Sequence, residues 1–380
     1  MDYLNFIILL GIAHGILMGI ALLTIRRGNR RANQVLGLLM ISFAISITGF
    51  PLINAGYYKL LPHLLLVGHP FLFLFGPLML LYVRLRTQRD FKLRRIHLLH
   101  LVPFIAYVVA LVPFYLLSGE EKISLMMAYR PGDSFSETFV TPLQIVFVFT
   151  YAAVAFRELS RYEKRIKETF SSIEQISLSW IRSLISLVVA VFVVMSLLSV
   201  LSFLGYAQFV ATHGGNIVPL LVTVCMYTSG YSGIRKPEVF VGGGSAAALA
   251  KYENSSLSEE QAHEYLKRLL ETMEHQKPFV NSGLTIKDLA EKSTIPSYHL
   301  SRIINERLGQ NFYDFINHYR VEETKRLFAH PEKQSYSIIA IAEEAGFNSK
   351  SVFNTAFKKY VNMTPSQYRQ QLNHRTPSSN

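Results

Sequence analysis

The sequence predicts an all-α fold in two parts, a seven-helix transmembrane bundle followed by a cytoplasmic tandem helix-turn-helix domain. Three observations predict it. Long stretches free of charge fill the first 236 residues, basic side chains collect in alternate gaps between them, and a helix-turn-helix pattern occurs twice near the C-terminus.

The stretches Tyr3–Ile25, Ala32–Tyr58, Leu60–Val83, Ile96–Gly119 and Thr138–Phe156 contain no Asp, Glu, Lys or Arg, and Ser183–Ile234 continues without one for 52 residues. A bilayer-crossing helix needs roughly 20 apolar residues, so the sixth stretch is long enough for two spans. A break is predicted at Gly205–Asn216, where Gly205, Gln208, His213, Gly214 and Gly215 interrupt the apolar pattern. Seven spans result. Pro70, Pro77, Pro103, Pro113, Pro142 and Pro219 lie within or beside them. Neighbouring helices of a bundle re-satisfy the backbone groups that proline frees.

The gaps carry the orientation. Arg26, Arg27, Arg30 and Arg31 fill the first gap, Arg84, Arg86, Arg89, Lys92, Arg94 and Arg95 the third, and Arg157, Arg161, Lys164, Arg165, Lys167 and Arg182 the fifth. The other gaps hold only Lys59, Lys122 and Arg130, so sixteen basic residues against three place the N-terminus outside and the C-terminal domain in the cytoplasm. A cleaved signal peptide is not expected, because Asp2 stands where a basic n-region belongs and the apolar run is too long. Trp180, beside Arg182, reads as an interface anchor. The same alternation explains the net charge of +12: residues 1–236 hold 21 basic and 10 acidic side chains, residues 237–380 hold 17 and 16. Nucleic-acid binding must therefore be argued from pattern. The lone Cys225 lies in the seventh span, which excludes an intrachain disulfide and a thiol metal cluster.

Beyond the membrane the pairs Glu163/Lys167 and Lys164/Glu168 sit at i,i+4, so the fifth helix is expected to continue as a charged stalk. Residues 1–236 thus form the membrane domain, and residues 237–257, with Gly242-Gly243-Gly244-Ser245 and alanines, have the composition of a flexible linker. Ser258 and Gln261 make a capping box that opens an amphipathic helix over residues 258–278. Its stripe of Ala262, Tyr265, Leu266, Leu269, Leu270 and Met273 either forms a dimerisation coil or packs on the domain that follows, residues 279–380.

That last domain is internally duplicated. Thr285-Ile-Lys-Asp-Leu-Ala-Glu291 is echoed 52 residues later by Ser337-Ile-Ile-Ala-Ile-Ala-Glu343, and each copy reads as helix, tight turn, helix. In the first copy Thr285 and Asp288 cap the opening helix, Ala290 supplies the small side chain needed where two helices cross, and Leu300, Ile303, Ile304 and Leu308 form the inner stripe of the second helix, which ends at Gly309. Ala342, Gly346, Phe347, Phe353 and Phe357 take the matching roles in the second copy. With those stripes inward, the opposite faces meet the major groove. They offer Ser297, Tyr298, His299, Arg302 and Asn305 in copy one and Ser349, Lys350, Ser351, Asn354 and Thr355 in copy two, with Lys358 and Lys359 as phosphate contacts. Arg bonds bidentately to guanine and Asn to adenine, whereas a lysine on phosphate reads charge alone.

The residues Leu289-Ala290-Glu291, His299-Leu300-Ser301-Arg302, Asn311 to Arg320, Ile341-Ala342, Gly346-Phe347-Asn348-Ser349, Phe353-Asn354, Phe357-Lys358-Lys359 and Thr364 to Arg369 resemble the double helix-turn-helix domain of AraC/XylS-type transcription regulators. The resemblance spans Leu284 to Arg369 and implies a central helix, Asn311 to Phe328, that sets the separation of the two motifs. It implies recognition helices in successive major-groove segments about 34 Å apart. Thr294 and Asn362 depart from it, standing where glycines are usual. More loosely, the membrane half resembles sensor regions fused to some bacterial regulators of this type.

No paired carboxylates, metal-ligand spacing, phosphate loop or nucleophile-base constellation appears, so no catalytic residue, cofactor or metal is expected. Carboxylates are absent from every predicted span, which argues against a pump and for sensing or anchoring. His14 and His69 are the polar exceptions there, expected as packed, hydrogen-bonded residues, and Ser118–Glu137 is the longest outer loop. The expected function is a one-component transcription regulator of the cytoplasmic membrane, with promoter DNA, the bilayer, RNA polymerase, a homodimer partner and an extracellular or membrane ligand as its partners. The alternative is a receptor or transporter whose C-terminal helices bind protein.

Overall fold

The computed structural model describes residues 3–26, 28–88, 91–129, 139–174, 176–210, 214–235 and 257–375. The predicted linker, apart from Leu257, lies outside them, as do Arg27, Arg89, His213 and residues 130–137 of the predicted outer loop. The chain divides into two compact units, Met1–Arg161 with Leu178–Gly244, and Tyr162–Ser177 with Ser245–Asn380.

In the first unit the helices are α1 (Tyr3–Thr24), α2 (Arg30–Ser46), α3 (Gly49–Asn54), α4 (Leu72–Thr87), α5 (Val102–Tyr115), α6 (Gly119–Ala128), α7 (Thr141–Thr169), α8 (Ser179–Leu201) and α9 (Ile217–Arg235). By length and composition six helical stretches suffice to cross a membrane, Tyr3–Thr24, Arg30–Asn54, Pro62–Thr87, Arg95–Tyr115, Thr141–Thr169 and Ser179–Phe209, while the seventh, Ile217–Tyr231, is shorter. The sequence drew the second and third stretches as plain spans, but both are broken. A turn at Ile47–Thr48 separates α2 from α3, and Pro62, Gly68 and Pro70 hold the start of the third stretch in 3₁₀ turns until α4 begins. Proline lacks the amide that an α-helix would use there. Gly68 is also pressed on α2: a Cβ would lie 2.3 Å from the Ile45 carbonyl. Gly205, with φ of 94°, makes the expected break after α8.

Small residues set the packing of this unit. Gly11, Gly15 and Gly19 recur every fourth residue on α1 and are buried against α2 and α9. A Cβ on Gly19 would come within 2.9 Å of the Gly37 carbonyl, and one on Gly37 within 2.8 Å of the Gly19 carbonyl. Two backbones in such contact are the packing mode of membrane helices, where small side chains let dispersion act at close range. His14 stacks on Tyr227 at 4.7 Å, and His69 Nδ1 lies 3.0 Å from the Tyr107 hydroxyl. Trp180 differs from its expected place at an interface: it is buried, edge-on to Tyr82 at 5.8 Å. On α6, Lys122 is buried and donates to the carbonyls of Tyr115 and Leu117, both at 2.9 Å, which caps the end of α5.

The second unit carries α10 (Glu259–His275), α11 (Ile286–Ser293), α12 (Ser297–Glu306), α13 (Phe312–Phe328), α14 (Ile338–Glu344), α15 (Lys350–Val361) and α16 (Pro365–Arg375). Ser258 with Gln261 and Thr285 with Asp288 form the capping boxes that open α10 and α11. Asn311 caps α13 and Ser337 caps α14, each accepting from an amide three residues on. Two cores result. Leu289, Ala290, Ile295, Leu300, Ile303 and Ile304 form the first with Phe312, Phe315 and Ile316 of α13, and Leu269 and Met273 of α10 close it. Ile341, Ala342, Phe347, Phe353 and Phe357 form the second with Val321, Leu327 and Phe328 of the same α13. The amphipathic stripe of α10 is thus laid on the first helix-turn-helix motif.

Candidate nucleic-acid interface

Each second helix of a motif turns its apolar residues inward at helical spacing, Leu300, Ile303 and Ile304 on α12 and Phe353, Ala356 and Phe357 on α15. What remains outward is therefore fixed by periodicity. On α15 that face is open: Lys350, Ser351, Asn354, Thr355 and Lys358 are exposed, and Ser349 shares a 3.0 Å hydroxyl contact with Ser351. Asn354, Thr355, Lys358 and Lys359 line a groove completed by Thr364, Pro365 and Ser366 at the start of α16. The start of α16 is itself closed by a capping box, the Thr364 amide on the Gln367 side chain and the Gln367 amide on the Thr364 hydroxyl, so what the groove offers phosphate is chiefly the charge of Lys358. Nothing in local spacing joins Thr364–Ser366 to the recognition helix; only folding α16 back does so.

The two lysines are not equivalent. Lys359 pairs with Asp314 of α13 at 2.8 Å and lies over the Tyr360 ring, so part of its charge is engaged within the domain, although both lysines are exposed.

On α12 the face is more engaged with its own surroundings. Arg302 Nε donates to Glu306 at 2.8 Å, one turn on, and Asn305 donates to the Ser301 carbonyl at 2.8 Å. The His299 ring sits 5.7 Å from Tyr265 of α10, so His299 braces α12 from the side as well as standing in the predicted set. Ser297 and Tyr298 are half-buried at its start.

Both turns are built as a tight crossing requires. Thr294 ends α11 in the left-handed region, φ 56° and ψ 37°, where the resemblance implied glycine. Gly346 has φ of 99°, and a Cβ there would lie 2.4 Å from the Phe279 carbonyl. Asn362 closes α15 at φ 59° with its amide on the Lys358 carbonyl. Asn is the next best residue to glycine for such a cap.

One residue of the motif is a structural node that its sequence neighbours do not reveal. Arg320 of α13 is 2% exposed and donates to the carbonyls of Phe279 at 2.8 Å, Asn281 at 2.9 Å and Ser282 at 3.3 Å. Burial pushes it down to about 10, with Glu174 and Tyr313 opposing, so it stays charged at neutral pH. Arg320 thereby ties the loop before α11 to the helix shared by both cores.

Two such motifs hung on one long helix, with polar faces outward, define a tandem helix-turn-helix DNA-binding domain. Residues 289–371 match the family described as a helix-turn-helix domain. The chain is 31% identical over 90 residues to the probable transcription factor PqrA of Proteus vulgaris, covering 24% of this chain and 71% of that protein. It is 29% identical over 94 residues to the regulatory protein PocR of Salmonella typhimurium, covering 25% of this chain and 30% of that one. A response regulatory protein of Staphylococcus epidermidis is 30% identical over 95 residues, 25% of this chain and 36% of its own length. The chain therefore spans about a third of the length of the last two. It belongs to the AraC-type helix-turn-helix family, and its C-terminal unit carries a DNA-binding domain of that type.

Proposed function

We propose that the chain is a one-component regulator anchored in the cytoplasmic membrane, in which the apolar helices register a signal and the tandem domain answers at a promoter. The observation that carries the membrane part is the outward direction of its apolar side chains. Leu17 is 69% exposed, Val109 62%, Leu116 81% and Phe203 89%, while Gly11, Gly15 and Gly19 of α1 are buried. Such a surface is unfavourable in water and favourable in lipid. The sixteen basic residues against three in alternate gaps support a cytoplasmic C-terminus, the compartment that holds DNA. A homodimer, RNA polymerase and a signal molecule are the further partners of this reading.

The test uses the full chain in lipid nanodiscs and randomised double-stranded DNA at physiological salt. Enrichment of a sequence with two segments about 34 Å apart is expected. Enrichment of no sequence would sink the proposal. With Arg302→Ala, preference is expected to relax within one segment only.

A further inference from the structure

The carbonyls of Phe279, Asn281 and Ser282 and the Asn317 side chain do not complete the surroundings of Arg320. Its Nη1 donates to the Ser171 carbonyl at 3.0 Å and its Nη2 to the Ser171 hydroxyl at 3.1 Å. Ser171 lies in the loop that joins α7 to α8, 149 residues away in sequence. The same hydroxyl donates to the Leu284 carbonyl at 2.6 Å, and the Ser171 amide donates to that carbonyl at 3.2 Å. Phe170 forms an antiparallel bridge with Thr285, the cap of α11. Ser172 donates to Asn348 at 3.0 Å, in the turn that precedes α15. Three consecutive loop residues thus touch the first motif, the shared helix and the second motif.

We propose that loop 170–174 is an intramolecular docking segment, seated on Leu284, Arg320 and Asn348, that fixes the separation of the two helix-turn-helix motifs and so passes movement of α7 and α8 to DNA affinity. The inference rests on the reading of this chain as a DNA-binding membrane regulator. Two-segment recognition requires both recognition helices at one separation. A loop bonded to both motifs holds that separation, whereas an unseated loop takes two hydrogen bonds away from a buried arginine, so the two states differ in free energy. The loop is itself closed by the Tyr162 hydroxyl on the Ile176 carbonyl at 2.9 Å, which gives α7 and α8 a stiff hold on it.

The experiment again uses the full chain in nanodiscs. Ser171→Ala removes the hydroxyl and leaves the backbone bonds. It is expected to weaken binding to the two-segment site about tenfold, within the range of allosteric couplings, and to leave binding to DNA with one segment scrambled unchanged. Paired residues of an antiparallel bridge are close enough for a disulfide. Phe170→Cys with Thr285→Cys, in a Cys225→Ser background, is therefore expected to cross-link under mild oxidation and to restore full affinity to the Ser171→Ala chain. Wild-type affinity in reduced Ser171→Ala, or failure of the cysteines to cross-link, overturns the proposal. Failure of the wild-type chain to select any DNA overturns the DNA-binding reading instead, and the cross-link, read without DNA, tells the two apart.

Discussion

Thr294 and Asn362 close helices α11 and α15 with φ of 56° and 59°. A β-branched residue held there has its Cβ against a carbonyl, at a cost of about 1–2 kcal/mol. Thr294→Gly is therefore expected to stabilise the C-terminal unit by about 1 kcal/mol, raising its Tm by several degrees in a calorimetric scan. Gly346→Ala acts in the opposite sense on two counts, a φ of 99° and a Cβ 2.4 Å from a backbone oxygen. A loss of about 2 kcal/mol or more is expected in the same scan, and an unchanged Tm would contradict the tight turn. The two lysines of α15 allow a similar contrast in binding. Both are exposed, but Asp314 already engages part of the charge of Lys359. Lys358→Ala is expected to reduce the slope of log affinity against log salt by about 1, on all DNA sequences alike, and Lys359→Ala by less. Equal slopes for the two variants would show that the Asp314 pair opens on DNA.

Helices in this chain do two kinds of work, and sequence revealed them unequally. Helix α13 was legible as the connector, but not that Phe312, Phe315 and Ile316 serve one core and Val321, Leu327 and Phe328 the other. Local patterns were reliable because they need only near neighbours: the capping boxes at Ser258 and Thr285, the inward stripes of α12 and α15, and the stalk formed by the end of α7 all follow from i,i+3 and i,i+4 spacing. What was not legible depends on residues far apart in sequence. The pairing of Lys359 with Asp314, the groove closed by Thr364 and the seat of Ser171 on Arg320 exist only once the chain has folded back. Nor did hydropathy show the glycine seam between α1 and α2, since glycine is nearly neutral on that scale. The seam is open to test. Gly37→Leu would drive a side chain into the Gly19 carbonyl and is expected to lower the detergent-solubilised chain's Tm strongly, whereas Gly49→Ala, with nothing within 4 Å of the added Cβ, is expected to leave it unchanged. A tolerated Gly37→Leu would place the contact between these helices elsewhere.

For the whole molecule, the decisive quantity is which side of the bilayer each unit occupies. Charge alternation carries the proposed cytoplasmic C-terminus, and the length of one helix is compatible with it. Helix α7 runs without interruption from Thr141 to Thr169, and its last turns belong to the unit that carries the DNA-binding motifs. A helix of 29 residues is about 44 Å long, more than the roughly 30 Å hydrocarbon core, so in the proposed topology the charged end of α7 reaches water. Single cysteines in a Cys225→Ser background read this directly. Leu60, 76% exposed between the second and third apolar stretches, belongs to the outer side in this topology, and exposed Lys164 on the stalk to the inner side. Leu60→Cys is expected to react with a membrane-impermeant maleimide in intact cells, and Lys164→Cys only after the cells are opened. The reverse pattern would turn the recognition helices away from the cytoplasm, and a regulator so oriented has no DNA within reach.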